Sequence, residues 1–282
     1  MNRRNRWTAF TWLFPLAGAV VAWSSPLTAQ VVGQEDMIYC QVDGAALLAD
    51  IAHPQDGSDL PAILYIHGGR WQSGSKDDPR GLNVQQWAER GFFAMTISFR
   101  LVGSTPAPAP QQDLLCAVRW LHVHADHYGI DPNRIYLSGW SSGGHQVSLV
   151  ATLGEGPYPR TGGWDDAPSH VRAVMSISAP YELNTLSWGD LWTPISGDPI
   201  EARRLASPME HVSPESRPIL IVHSDDDGSV PVEQALQMVE TLDEAGAPHR
   251  FVHYQDRGHV ALTDEVVTEM LDFIEEVERE GW

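Results

Sequence analysis

Gly139-Trp140-Ser141-Ser142-Gly143 places a serine between glycines two positions to either side. That is the spacing of a G-x-S-x-G turn, in which a strand passes abruptly into a helix and holds the serine hydroxyl above the sheet edge. Ile135, Tyr136 and Leu137 form a β-type apolar run before it and a helix-compatible segment follows, so Ser141 is the candidate nucleophile. A serine hydroxyl attacks a carbonyl only when a base takes its proton, an acid orients that base and donors hold the developing oxyanion. His259, in Gly258-His259-Val260 between the last apolar run and the closing helix, is the candidate base. The acid belongs to Asp225-Asp226-Asp227, on the loop after Ile219 to His223, and residue chemistry alone leaves the choice among the three open. His67-Gly68-Gly69-Arg70-Trp71 follows the apolar run Pro61 to Ile66 and supplies bare amides. Gly68, Gly69 and Ser142 are thus the candidate oxyanion donors, each worth about 3 to 4 kcal/mol in a transition state. The competing reading of Gly68-Gly69 is a tight turn and nothing more.

Other side chains invite chemistry with less support. Trp71 and Trp140 are candidate substrate contacts, and Trp164, Trp188 and Trp192 could join them in an acyl or aromatic subsite. For any single one of these, packing beneath loops is the stronger default. Arg70 could meet a substrate carboxylate, although pairing with a surface acid is the favoured reading. His122, His124 and His127 do not share a helix face at metal-ligand spacing, so they read as solvated, and neither a metal nor an organic cofactor is expected. Cys40 falls in an early strand and Cys116 in a helix; a bridge and two free thiols stand evenly balanced.

Positioning these groups takes strands alternating with helices. A hairpin over Met37 to Val42 and Ala46 to Ala52 turns at Asp43-Gly44. Strands then follow at Pro61 to Ile66, Phe92 to Ser98, the Ile135 run, Val171 to Ser178, Ile219 to His223 and Arg250 to Tyr254. Helices are expected over Asn83 to Arg90, Asp113 to Tyr128, the segment after Ser142, Val232 to Ala245 and Asp264 to Glu280. Ser104 to Pro110 and Gly154 to His170 read as loops, and Ala179 to Pro214 as an irregular cap over the site. The alternation calls for a mainly parallel sheet covered on both faces.

Residues 1–29 read as a secretory signal: Arg3, Arg4 and Arg6 precede an apolar stretch from Trp12 to Trp23, with cleavage expected near Ala29. An uncleaved anchor is the alternative. One catalytic domain over 30–282 is expected, exported to the periplasm or beyond, with no stable membrane span once the signal is removed. The formal net charge of −19 disfavours nucleic acid as a partner, because such a surface repels phosphate backbones.

Beyond these local readings, the chain from about Val42 to about Ile274 resembles the α/β-hydrolase superfamily. Within it the chain is similar to carboxylesterases with an H-G-G-x-W loop, both the hormone-sensitive-lipase relatives and the bifunctional feruloyl and acetyl-xylan esterases. The resemblance rests on His67-Gly68-Gly69-Arg70-Trp71, Tyr128-Gly129-Ile130-Asp131-Pro132-Asn133-Arg134-Ile135, Gly139 through His145, Ala206-Ser207-Pro208, and His223 through Val230-Pro231. It implies an eight-stranded α/β-hydrolase fold with a small cap and a Ser141, Asp227, His259 triad, since Val230-Pro231 sets the register that selects Asp227. It also implies hydrolysis of a short or medium acyl ester on a small alcohol or decorated sugar. An amide hydrolase such as an arylformamidase and a catalytically silent binding protein on the same scaffold are the alternatives. Two residues depart from the family pattern: Ser224 replaces a glycine after His223, and Phe99 replaces a tyrosine.

Overall fold

Along β3 (Leu60–Ile66), Ala62, Leu64 and Ile66 enter one apolar cluster while Ile63 and Tyr65 enter another. Successive strand residues point to opposite faces, so a strand apolar throughout must be covered on both sides. The computed structural model describes residues 30–282 and resolves that requirement as a three-layer sandwich. On one face lie α2 (Ala109–Val123), α4 (Ser142–Leu153) and α6 (Val232–Ala245), contributing Leu114, Val118, Val147, Val150, Ala235 and Met238. On the other lie α1 (Val84–Glu89) and α7 (Asp264–Glu280), contributing Trp87, Val266, Met270, Phe273 and Val277.

The sheet is completed by β1 (Val31–Val42), β2 (Ala45–Pro54), β4 (Phe93–Ile97), β5 (Ile130–Trp140), β6 (Ala173–Ile177), β7 (Ile219–Ser224) and β8 (His249–Tyr254). Its order is β1-β2-β4-β3-β5-β6-β7-β8. Pairs β1/β2 and β2/β4 are antiparallel and all others parallel. Because β3, β5, β7 and β8 run the same way, the loops that leave their C-terminal ends open on one sheet edge. Those four loops carry Gly68-Gly69, Ser141, Asp227 and His259.

Several boundaries differ from expectation. β1 starts at Val31 rather than Met37; its first half pairs with β2 from Val31↔Pro54 onward but is largely exposed, so it has no apolar period to read. α2 starts at Ala109 inside the proline-rich stretch, because prolines are tolerated in a first helical turn whose N–H groups lack partners anyway. That stretch is also no free loop: Ala107 is buried and bridges to Pro194 of the cap. The expected helix to Tyr128 breaks at His124, whose Nδ1–H returns to Trp120 O, and a short α3 (Ala125–Tyr128) follows. His122 is half-buried against the His170 carbonyl, and only His127 of the three histidines is exposed as expected. The cap is less irregular than expected, holding α5 (Pro199–Leu205) and 3-10 turns at Gly189–Leu191 and Pro208–His211.

Cys40 and Cys116 are bridged, fastening β1 to α2. No helix among the described residues is long and apolar enough to cross a membrane. The expected signal lies outside the described residues.

Candidate active site

The backbone at Ser141 has φ 56° and ψ −120°, a conformation that non-glycine residues adopt only when their surroundings impose it. Two glycines allow that imposition. A Cβ on Gly139 would lie 2.3 Å from the Gly143 carbonyl, and one on Gly143 would lie 2.2 Å from Ile66 O. The turn is pinned by Ser141 N–H donating to Ile177 O at 2.8 Å and by His145 N–H donating to Ser141 O at 3.0 Å. Ser141 thereby stands at the N-cap of α4, at the positive end of the helix dipole, with its side chain making no cap hydrogen bond.

The glycine loop packs directly on this turn. Gly68 is so close to Trp140 that an added Cβ would meet its ring at 2.7 Å, and Gly69 takes φ 119°, open to glycine alone. Ser142 Oγ accepts from Trp71 N–H at 3.2 Å, tying the helix start to the loop. Among the described residues, the amides of Gly68, Gly69 and Ser142 donate to no protein acceptor, which leaves them free for an oxyanion. His67 steadies the loop from beneath: its Nδ1–H donates to Gly68 O at 2.7 Å, and burial, opposed by that bond and by Asp78, pushes its pKa down. Phe99 stacks flat on His67 at 4.3 Å, so this ring braces the loop by its face, without the hydroxyl that the family pattern carries.

His259 Nδ1–H donates to Asp227 Oδ2 at 2.7 Å, and Asp227 Oδ1 accepts from the amides of Ser229 and Val230 at 2.8 and 3.0 Å. Burial works against the Asp227 charge, but the His259 bond and those amides outweigh it and hold the carboxyl below its usual range. Its neighbours are occupied elsewhere. Asp225 accepts from Asp256 N–H, and Asp226 accepts from Ser224 Oγ–H and Gly258 N–H, both at 2.7 Å. Ser224 Oγ also accepts from Arg257 N–H, so the serine that departs from the family glycine clasps the His259 loop to β7. Ser178 Oγ–H adds a second clasp at Val260 O. No hydrogen bond joins Ser141 Oγ to His259 in this structure; such bonds are commonly long before substrate binds.

The tryptophans take structural posts. The His259 ring lies 4.9 Å from that of Trp140, and the Arg80 guanidinium, forked onto Asp78, sits over Trp140 at 4.2 Å. Trp140 therefore packs against the His259 ring and is positioned as its brace. Trp71 is fully buried against Trp188 and Trp192 and donates Nε1–H to His145 Nδ1 at 3.2 Å, which corrects its expected role as a substrate contact. Trp164 lies apart from these, bonded to Tyr39 O and edge-on to His124. Among the described residues Arg70 has no acid partner, contrary to the favoured reading; it is exposed, with its guanidinium over Trp188.

His145 is a structural support of this edge that residue types alone do not reveal, although it stands inside the Gly139 to His145 motif. Nε2–H donates to Ala206 O at 2.7 Å while Nδ1 accepts from Trp71, so one neutral ring joins elbow helix, glycine loop and cap. Complete burial pushes its pKa down to about 4, against the pull of the Ala206 carbonyl. Trp188 is a second support, donating Nε1–H to Ser229 O beside the acid loop.

A strained serine turn, free amides and an Asp-His pair lie together at one edge of this sheet, which has the architecture of an α/β-hydrolase. The family model described as BD-FAE matches residues 49–242, and the chain belongs to that family of α/β-hydrolase esterases. A probable carboxylic ester hydrolase of Mycobacterium tuberculosis, LipM, is 28% identical over 195 residues, covering 64% of this chain and 44% of that protein. Esterase LipC of the same organism is 28% identical over 219 residues, with coverage of 71% and 53%. The chain thus spans about half the length of the curated relatives it matches. A truncated carbohydrate esterase from gut microbiota superposes with a TM-score of 0.77 at 25% identity, covering 90% of this chain and 98% of that one. Esterase Est2 of Thermogutta terrifontis shares the fold, with a TM-score of 0.73 at 23% identity over 89% and 93% of the two chains.

Proposed function

We propose that this chain hydrolyses carboxylic esters by acyl transfer through Ser141. His259 Nε2 takes the Ser141 proton as Oγ attacks the ester carbonyl, while Asp227 holds the Nδ1–H tautomer and steadies the imidazolium. The amides of Gly68, Gly69 and Ser142 receive the oxyanion. Collapse of the tetrahedral adduct breaks the C–O bond and the alcohol leaves with the proton from His259. Water then repeats the sequence on the acyl-enzyme and releases the acid.

The observation that carries this reading is the 2.7 Å Asp227–His259 hydrogen bond on the same sheet edge as the strained Ser141 turn. The likeness to a carbohydrate esterase supports esters borne on decorated sugars as substrates, with the acyl group short or medium on this reading. The Cys40–Cys116 bridge supports export to an oxidising compartment, with residues 1–29 as the removed leader and 30–282 as the working domain.

Purified protein should release p-nitrophenol from acyl esters in a series from acetate to decanoate, with acetylated xylan, methyl ferulate and N-formylkynurenine assayed alongside. Ser141→Ala should lower turnover by about 10⁴-fold or more and abolish fluorophosphonate labelling. Turnover of N-formylkynurenine alone would make it an amide hydrolase. No turnover and no labelling would make it a binding protein on this scaffold.

A further inference from the structure

We propose that Arg70 reads a carboxylate on the substrate, so that the ester taken by this site is itself an anion. This deepens the proposed ester hydrolysis and rests on it. The described cations of this strongly acidic chain mostly have carboxylate partners: Lys76 meets Asp36, Asp50 and Asp77, Arg80 meets Asp78, Arg100 meets Asp113 and Arg250 meets Glu269. Arg70 has none; Arg90, Arg119 and Arg203 also lack one but donate to carbonyl oxygens, so among the described cations only Arg70 and Arg217 have a guanidinium with no hydrogen-bond partner.

Its place makes that solitude informative. Arg70 follows Gly69, whose free amide is a candidate oxyanion donor. Its guanidinium rests 5.4 Å from the ring centroid of Trp188, and Trp188 is bonded to Ser229 O, two residues beyond Asp227. Trp188 therefore links the cap to the Asp227 loop and also carries the exposed Arg70 of the glycine loop. The backbone there is costly as well: Arg70 and Trp71 hold φ 55° and 61° in succession, a conformation that glycine adopts without strain. Trp71 is held there by its buried indole and its bonds to Ser142 and His145, whereas the Arg70 side chain does nothing for the fold beyond lying on Trp188. A guanidinium with no protein partner keeps its N–H fork available, and such a fork grips a carboxylate in two parallel hydrogen bonds.

Two matched pairs of esters test this. One puts the charge on the acyl side, p-nitrophenyl hydrogen adipate against p-nitrophenyl hexanoate; the other puts it on the alcohol side, 4-acetoxybenzoate against its methyl ester. Arg70→Gln should lower the anionic-to-neutral ratio of kcat/KM by about tenfold or more in at least one pair, mainly through KM, with partial recovery in Arg70→Lys. The preference should also weaken with added salt. An unchanged ratio in both pairs, or an equal fall for charged and neutral members, overturns the assignment to Arg70. If the parent protein turns over no ester at all, the acyl-transfer reading fails separately. Calorimetric titration with monomethyl adipate then decides Arg70: tighter binding to the parent than to Arg70→Gln supports it, and equal binding overturns it.

Discussion

Three consecutive aspartates stand on one loop, and their fates differ because their hydrogen bonds do. Asp225 and Asp226 hold backbone amides at Asp256 and Gly258, whereas Asp227 alone faces His259. Asp227→Asn should keep the fold and lower kcat/KM by about 10³- to 10⁴-fold, because an amide stabilises neither the required tautomer nor the imidazolium. Asp225→Asn should cost less than about tenfold. Equal losses in the two would mean that Asp227 only shapes its loop. Spacing and chain order point to Ser141 and His259, whereas the choice of Asp227 comes from the Val230-Pro231 register of the family resemblance. His145 was in plain view and its role was not, since its two partners are 61 and 74 residues away in opposite directions. Arg70 was misread for the same reason: nothing local records whether an acid folds up beside it.

Elements were readable where packing follows a period and obscure where it does not. The closing helix emerges at Asp264–Glu280 as its apolar stripe predicts, while the exposed beginning of β1 offered no pattern. The serine turn is the element whose sequence says most, because its glycines are dictated by backbone that cannot retreat. A Cβ on Gly143 would lie 2.2 Å from Ile66 O and 2.7 Å from His67 O, and both atoms belong to the strand end that presents the glycine loop. Gly143→Ala should therefore destabilise by about 3 kcal/mol or more and impair turnover, since relief must move β3 or α4. Gly103→Ala meets nothing within 4 Å at an ordinary φ and serves as the control. Urea unfolding of both variants checks this; a Gly143→Ala protein as stable as the control would mean that the turn can widen.

At the scale of the whole molecule, the strand order lay outside any local pattern, since apolar alternation does not say that β4 inserts between β2 and β3. The Cys40–Cys116 bridge was likewise beyond reach of residue types alone. It closes a sequence separation of 76 residues, which removes unfolded-chain entropy worth about 4 kcal/mol on a loop-closure estimate. Reduction, or Cys116→Ala, should lower the thermal midpoint by roughly 10 °C, measured with and without reductant. A midpoint indifferent to reductant would mean that the reduced chain is already constrained there.

Acid should weaken the molecule through its buried histidines before its carboxylates are protonated. His145, its pKa pushed from 6.5 down to about 4 by burial, stays neutral in the fold when the unfolded chain has begun to bind a proton. Its contribution to stability is therefore complete above pH 6.5 and declines as pH falls toward 4, by about 2 kcal/mol between pH 7 and 5. His67 and His223 are also lowered, burial being the main cause in both, and they act in the same direction. His145→Gln keeps a donor for Ala206 O but cannot titrate. Its stability should be lower at pH 7, where the native ring bridges Trp71 and Ala206, and should fall less steeply toward pH 5. Denaturant unfolding of both proteins at pH 7, 6 and 5 makes the comparison. Parallel slopes would show that His145 carries none of the acid sensitivity. Converging slopes would tie the acid limit of this fold to the one ring that joins the serine helix, the glycine loop and the cap.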